Sequence, residues 1–370
     1  MKGLETAQKP PLRLLLTGGG TGGHLFPAVA TAESLIAGEP EAAILFIGTR
    51  RRLDREHLER TGFAVQTIAS YGLKGKRLPE LVKALAVLPL SLFQAGWRIV
   101  RFRPDVVCGV GGYVTGPVLA AAWLLRRPLL IHEQNSVPGL ANRLLGRVVD
   151  RICLSLPESE TYFPAGKTVL TGNPVRRSIL EAARRARPRG GPRTLLILGG
   201  SQGARPVNKL VTEALTRNPE DFSGVHIIHQ TGTADEHWVA ECYRTAGISS
   251  TVAPFFTHMA DTYSQADLVI SRSGATTLAE LSVLGLPALL IPYPHAADDH
   301  QFRNARWYGD NGGALVFRQE ELPAAELARQ VLRLLADEPR LRQMSEAMRR
   351  LGIADAAERI VAICHEVAKR

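Results

Sequence analysis

The chain has 370 residues, 45% of them hydrophobic and 22% charged, which suits two domains of average size and excludes a mainly disordered protein. Its four cysteines (Cys108, Cys153, Cys242 and Cys364) are widely spaced with no Cys-x-x-Cys pair, which excludes a disulfide scaffold or zinc ribbon and fits a reducing compartment. Forty-five basic against 35 acidic residues leave a net charge of +10, which suggests an anionic partner: nucleic acid, a phosphate-bearing substrate or an acidic membrane surface.

Residues 1–11 are polar, and the apolar run after them, Leu12 to Leu16, carries Arg13 and is too short for the core of a signal peptide. The longest apolar stretches, 84–93 and 118–131, are broken by Pro89 and by Arg126-Arg127. Neither supplies the roughly 20 uninterrupted residues of a spanning helix. The expectation is a soluble cytoplasmic protein.

Along the chain, short apolar strands run into glycine turns and then into helical segments. Leu12 to Thr17 enters Gly18-Gly19-Gly20-Thr21-Gly22-Gly23-His24, a helix follows, and Ala43 to Gly48 is the second strand. Val106 to Val110 enters Gly111-Gly112-Tyr113, and Pro128 to His132 reads as the next strand. After a basic, Pro/Gly-bearing stretch at 184–192 the pattern restarts: Thr194 to Leu198 enters Gly199-Gly200-Ser201-Gln202-Gly203. Further strands are expected at Val225 to His229, Leu268 to Ser271 and Ala288 to Pro292. Buried strands ending in glycine and separated by helices indicate parallel sheets covered on both faces. The fold class is therefore α/β, with two Rossmann-like doubly wound domains whose ligands bind beyond the carboxyl ends of the strands.

Gly18-x-Gly20-x-x-Gly23 matches the dinucleotide fingerprint, although glycine-dense turns match it easily. The second strand ends Gly48-Thr49-Arg50-Arg51-Arg52, with no carboxylate for a ribose diol. Arginines there would suit NADP, so an NADP-dependent oxidoreductase is one alternative. Gly199-x-Ser201-x-Gly203 also matches the nucleophile elbow of a hydrolase, but no aspartate or histidine follows at a diagnostic spacing. A nucleic-acid reading rests on charge alone, because no RNP-like motif, zinc finger or lysine-rich tail is present.

The block Gly19-Gly20-Thr21-Gly22-Gly23-His24-Leu25-Phe26-Pro27-Ala28 resembles the opening motif of the MurG family, the bacterial N-acetylglucosaminyltransferases that make lipid II. Four more segments follow in the family's order: His132-Glu133-Gln134-Asn135, Gly172-Asn173-Pro174-Val175-Arg176, Gly199-Gly200-Ser201-Gln202-Gly203-Ala204, and Ser271-Arg272-Ser273-Gly274-Ala275. The last continues to Glu280 and Gly285-Leu286-Pro287, and His300-Gln301-Phe302-Arg303-Asn304-Ala305 comes later. The resemblance spans residues 12–310. It implies a GT-B fold, two Rossmann-like domains facing across a cleft. An acceptor and membrane-facing domain would occupy 1–175 and a UDP-GlcNAc donor domain 176–350. The final segment, 351–370, would return to the first domain.

The resemblance also implies roles. Glu280 would hold the ribose diol, Ser273-Gly274-Ala275-Thr276-Thr277 would open the helix whose free N–H groups suit phosphate or sugar oxygens, and Leu278 and Ala279 also belong to the substrate-binding set. Ser201 would contact the diphosphate with Arg176 as charge partner. The Phe256 backbone would contact uracil, and the Asn135 and Gln301 amides the sugar. His300 stands where the family often has a second glutamine. Thr21, Gly22 and Gly23 join the substrate-binding set. His24 would be the base that takes the acceptor hydroxyl proton, with Glu133 as an alternative base or as its orienting partner. The reaction would be inverting GlcNAc transfer to lipid I. No cofactor is required, since the chain has neither DxD nor HExxH, and a divalent cation would stimulate only through the diphosphate. Other partners would be the anionic inner-membrane surface and other cell-wall synthesis and division proteins, with no nucleic acid. Residues 71–103 mix apolar and aromatic side chains with basic ones. Lys74, Lys76, Arg77 and Leu78 are the expected contact with the cytoplasmic leaflet, the alternative being a buried helix with a basic outer face.

Overall fold

The computed structural model describes residues 10–19, 22–49, 61–71, 78–185, 191–200 and 203–369. In the first half, strands β1 (Arg13–Thr17), β2 (Ala43–Gly48), β3 (Ala64–Thr67), β4 (Val106–Gly109), β5 (Leu129–Glu133), β6 (Arg151–Leu154) and β7 (Thr168–Leu170) form one sheet. Its spatial order is β3-β2-β1-β4-β5-β6-β7. In the second half, β8 (Arg193–Leu198), β9 (Val225–Gln230), β10 (Ser250–Ala253), β11 (Leu268–Ser271), β12 (Ala288–Leu290) and β13 (Ala314–Val316) form another, ordered β10-β9-β8-β11-β12-β13. Every pairing in both sheets is parallel. These are two Rossmann-like doubly wound units.

The strands form where they do because both faces of each sheet are covered. Leu14 and Leu16 pack with the helix Gly22–Gly38 on one side, while Leu15 points to the other side with Ile99, Val118 and Leu119. A continuous apolar run is the expected signature of such a strand. Five strands went unforeseen. Four of them, β3, β7, β10 and β13, are the sheet edges, each of three or four residues, and all but β13 partly polar, as in Ala-Val-Gln-Thr and Ser-Thr-Val-Ala. The fifth, β6, neighbours an edge.

The helix Ala356–Ala368 leaves the second unit and packs on the first. Ile360, Ile363, Cys364 and Val367 are buried with Leu25, Ala28, Ala32 and Leu35 of the helix Gly22–Gly38. Two polar contacts flank this packing, the Arg151–Glu366 ion pair at 2.8 Å and His365 Nε2 lying 2.6 Å from Glu39 Oε1. Among the described residues, no helix is long and apolar enough to cross a membrane.

Two histidines are sealed in the sheets. His229, fully buried on β9, lies 2.9 Å from the Tyr243 hydroxyl and 3.1 Å from Asn208 Oδ1. Asn208 Nδ2 donates to Thr231 O and Asp235 Oδ2, so Oδ1 is its accepting end and His229 Nε2–H donates to it. Burial pulls His229 down to about 3 and His132 down to about 4 from an ordinary 6.5. Because the unfolded chain binds these protons at higher pH, stability is full above about pH 6.5 and falls as pH drops towards 4 and 3. We expect urea denaturation between pH 6 and 4.5 to lose about 1.4 kcal/mol per pH unit for each histidine. His229→Gln should remove one of those two contributions to the slope, and an unchanged slope would contradict the assignment.

Candidate active site

In a doubly wound sheet the strand order reverses at one point, and the loops there splay apart to leave a crevice. In the first unit that point lies between β1 and β4, so the glycine loop after Thr17 stands beside Val110-Gly111-Gly112-Tyr113. In the second it lies between β8 and β11, whose following loops carry Gly199-Gly200 and Arg272-Ser273-Gly274. The two crevices face each other: Thr276 Oγ1 donates to Gly23 O across the boundary at 3.0 Å. Thr21 and Ser201 lie outside the described residues.

Two glycines of the β4 loop are fixed by contact. Gly112 has φ +84, and a Cβ there would sit 2.2 Å from Gly19 O, so the loops touch backbone to backbone. Gly111 has φ +100, and its Cβ would fall 2.9 Å from His24 Nδ1. The imidazole therefore lies against a bare backbone.

His24 sits in the first turn of the helix Gly22–Gly38, with Nδ1 3.0 Å from Gln134 Oε1. Its orienting partner is Gln134, not the neighbouring Glu133. The Glu133 carboxylate, 2% exposed, is committed to its own loop. It accepts from the Asn135 and Gly139 backbone N–H groups at 2.9 and 3.3 Å and from Asn142 Nδ2 at 2.8 Å. A carboxylate so occupied braces its own loop.

In the second unit, the helix Ala275–Leu284 starts at Gly274 with no side-chain cap. Its first-turn N–H groups point out of the helix without a side-chain acceptor. Leu278 and Ala279 follow the first turn. Their side chains are buried in the core, and Leu278 N–H donates to Gly274 O at 3.0 Å. Ala275, Thr276 and Thr277 are left as the residues facing the crevice.

Glu280 is almost wholly buried and already partnered. Oε1 accepts from Arg176 Nε at 2.9 Å and pairs with Nη2 at 2.8 Å, while the Tyr263 hydroxyl donates to Oε2 at 3.0 Å. Burial pushes the carboxyl above the ordinary range against the pull of Arg176 and Tyr263. Arg176 also lies over the Phe26 ring at 5.0 Å, so it touches both units. The expected charge partner of a diphosphate is thus held on the expected diol acceptor. The other expected ligands are likewise engaged within the protein. Phe256 N–H donates to Gln230 Oε1 at 3.2 Å, and Gln230 Nε2 donates to Gly200 O at 3.1 Å, tying two loops together. Gln301 Oε1 accepts from the Ser273 and Tyr293 backbone N–H groups at 3.2 and 3.0 Å, leaving its NH2 end as the donor. Asn135 Oδ1 accepts from Asn304 Nδ2 at 3.1 Å.

Asn304, one helical turn after Gln301, was not expected in the site. It is fully buried, and its Oδ1 accepts from Ser136 N and Oγ at 2.8 and 2.9 Å, joining the units. The i,i+3 spacing of Gln301 and Asn304 on one helix was the available signal.

Comparison with known proteins accords with this geometry. Residues 14–154 match the glycosyltransferase family 28 N-terminal domain, and 194–360 match its C-terminal domain. A UDP-N-acetylglucosamine–N-acetylmuramyl-(pentapeptide) pyrophosphoryl-undecaprenol N-acetylglucosamine transferase of Desulfotalea psychrophila is 54% identical over 367 residues, 99% of each chain. The crystal structure of Acinetobacter baumannii MurG superposes with a TM-score of 0.77 at 30% identity, covering 96% of this chain and 100% of that one. A putative UDP-N-acetylglucosamine 2-epimerase from Listeria monocytogenes shares the fold, with a TM-score of 0.69 at 15% identity over 97% and 98% of the two chains. The two facing units are therefore a GT-B fold.

The Gly111 contact is testable. Gly111→Ala should cost about 1–3 kcal/mol in chemical denaturation, from its positive φ and the displaced imidazole. Part of that cost should vanish in a His24→Ala background, where the ring is gone. Gly116→Ala, whose added Cβ meets nothing within 4 Å, should be close to neutral. An equal cost with and without the imidazole would rule out the ring contact.

Proposed function

The chain belongs to glycosyltransferase family 28, and from that premise we propose that it transfers GlcNAc from UDP-GlcNAc to the muramyl O4 of lipid I, giving lipid II and UDP. The observation that carries the reading is the contact of the uncapped helix start at Ala275–Thr277 with the loop that presents His24. In this reading the helix start would receive the leaving diphosphate, and the contact supports His24 as the base beside it.

In this scheme the acceptor O4 attacks the anomeric carbon from the face opposite the departing phosphate. The O4 proton passes to His24 Nε2, the C1–O4 bond forms with inversion, and the C1–O phosphate bond breaks with its electron pair going to UDP. Backbone N–H groups at Ala275–Thr277 stabilise the developing charge, together with Ser201. As the donor binds, its ribose diol takes over the oxygens of Glu280, and Arg176 turns to the diphosphate; the arginine keeps a charged partner throughout. The NH2 of Gln301 donates to a sugar oxygen. The scheme uses no resident metal, and a divalent cation acts through the diphosphate.

The acceptor carries a lipid tail, and the first unit has a surface suited to it. On the helix Leu78–Phe102, Leu90, Phe93, Trp97 and Val100 are exposed at alternating spacings of three and four, with Phe93 71% and Trp97 63% exposed. Trp123 and Leu124 continue this apolar face from the helix Thr115–Leu124, which packs beside it. Over residues 86–102 of the long helix this exposed stripe is mostly apolar, with Arg101 exposed at its end, and Arg98 donates to Thr67 O. Arg101, Arg103 and Arg126 are exposed near the same helix ends. Lys74, Lys76 and Arg77 lie outside the described residues, and Leu78 begins the helix. We place this surface on the anionic cytoplasmic face of the membrane as a peripheral contact.

UDP release that appears only with a short-chain lipid I analogue would establish donor, acceptor and reaction class together, and its absence would reject the acceptor. Glu280→Gln should raise the donor KM by about 10- to 100-fold, the scale of hydrogen bonds to a charged group. Phe93→Ser with Trp97→Ser should lower binding to anionic phospholipid vesicles at least about tenfold without changing stability. Unchanged vesicle binding would reject this surface.

A further inference from the structure

The hydrogen bonds behind His24 run in one direction. Gln134, 2% exposed, has its Nε2 2.8 Å from Val110 O and 3.2 Å from His132 O, and its Oε1 faces His24 Nδ1. Turning the amide over would set Oε1 against two carbonyl oxygens, so the orientation is fixed. The same nitrogen lies 3.1 Å from His132 Nδ1, whose ring places Nε2 3.1 Å from Gly172 O and 3.0 Å from Ser155 Oγ, a hydroxyl that can accept. A carbonyl only accepts, so His132 carries its proton on Nε2 and receives at Nδ1. Read outward from the domain junction, Gly172 C=O accepts from His132, His132 accepts from Gln134, and Gln134 accepts from His24. Burial holds His132 neutral, down to about 4, so this order survives at ordinary pH.

We infer that Gln134 is the positioning residue of the reaction: it locks His24 in the Nδ1–H tautomer and so presents the Nε2 lone pair to the acceptor hydroxyl. The inference rests on His24 being the base. When Nε2 gains the proton, the charge is shared with an Nδ1–H···Oε1 bond already in place, so no group must reorient during transfer. A neutral amide in this position differs from the carboxylate of a serine-protease-type triad. It sets the tautomer without a fixed negative charge, leaving the base free of a partner that would raise its proton affinity. Among the described residues, the titratable groups near this element include His132 on β5, held neutral, Glu133 on β5, bonded to its own loop, Glu33 on the helix that bears His24, and the Arg176–Glu280 pair, reached through Phe26 on that helix.

The test is the tautomer itself. In the full-length protein with 15N-labelled histidine, His24 is assigned by comparison with His24→Ala. Wild type should show a pyrrole-type Nδ1 and a pyridine-type Nε2 above the histidine's titration. Gln134→Leu should mix the two tautomers and lower kcat by about 10- to 100-fold, with the donor KM within about twofold. Gln134→Glu keeps the acceptor but adds charge. It should retain the Nδ1–H tautomer and move the acid limb of the kcat profile up by about one pH unit, and it serves if the leucine variant does not fold. An unchanged tautomer in Gln134→Leu, or an unmoved limb in Gln134→Glu, overturns the inference. A mixed tautomer with undiminished turnover instead removes His24 as the base, and with it the role given to Gln134.

Discussion

The constraint on which the first unit's site depends is backbone on backbone: the carbonyl of Gly19 occupies the space where any side chain on Gly112 would be. From this contact between the β1 and β4 loops the rest of the first unit's site follows. The β4 loop gives the imidazole of His24 a flat seat at Gly111 and gives Gln134 the Val110 carbonyl that fixes its amide. Loops packed this closely cannot drift apart without losing both contacts, so His24 and Gln134 are held by the rigid sheet beneath them.

The second unit spends its buried polar groups differently. Glu280 is a carboxylate in the core, and burial of a charge is tolerated only with partners. Arg176 and Tyr263 supply them. Because Arg176 comes from the segment joining the two units and rests on Phe26, the pair also ties donor-side chemistry to the first unit. Asn304 and Thr276 add direct hydrogen bonds across the boundary.

Legibility in the sequence followed burial. Strands covered on both faces announced themselves as apolar runs ending in glycine, and β2 and β11 fall on the expected residues. The edge strands did not, since half of each is solvent-facing and its pairing comes from a neighbour distant in the chain. In the long helix, counting apolar and basic residues could not say which stripe faced outward. Packing against the helix Thr115–Leu124 decided that Phe93 and Trp97 stay exposed.

By itself the sequence determined the α/β class, the two-unit organisation, the glycine loops and the family, because these depend on local patterns of hydrophobicity and on motifs in order. It also brought Glu133 and Gln134 to notice as neighbours. Which of the two faces His24 was beyond it: adjacent residues leaving a strand point different ways, and only the folded sheet sets Gln134 beside a helix 110 residues earlier in the chain. The pairing of Arg176 with Glu280 across 104 residues is of the same kind. Long-range hydrogen bonds are chosen by tertiary geometry, so the roles they set belong to the structure.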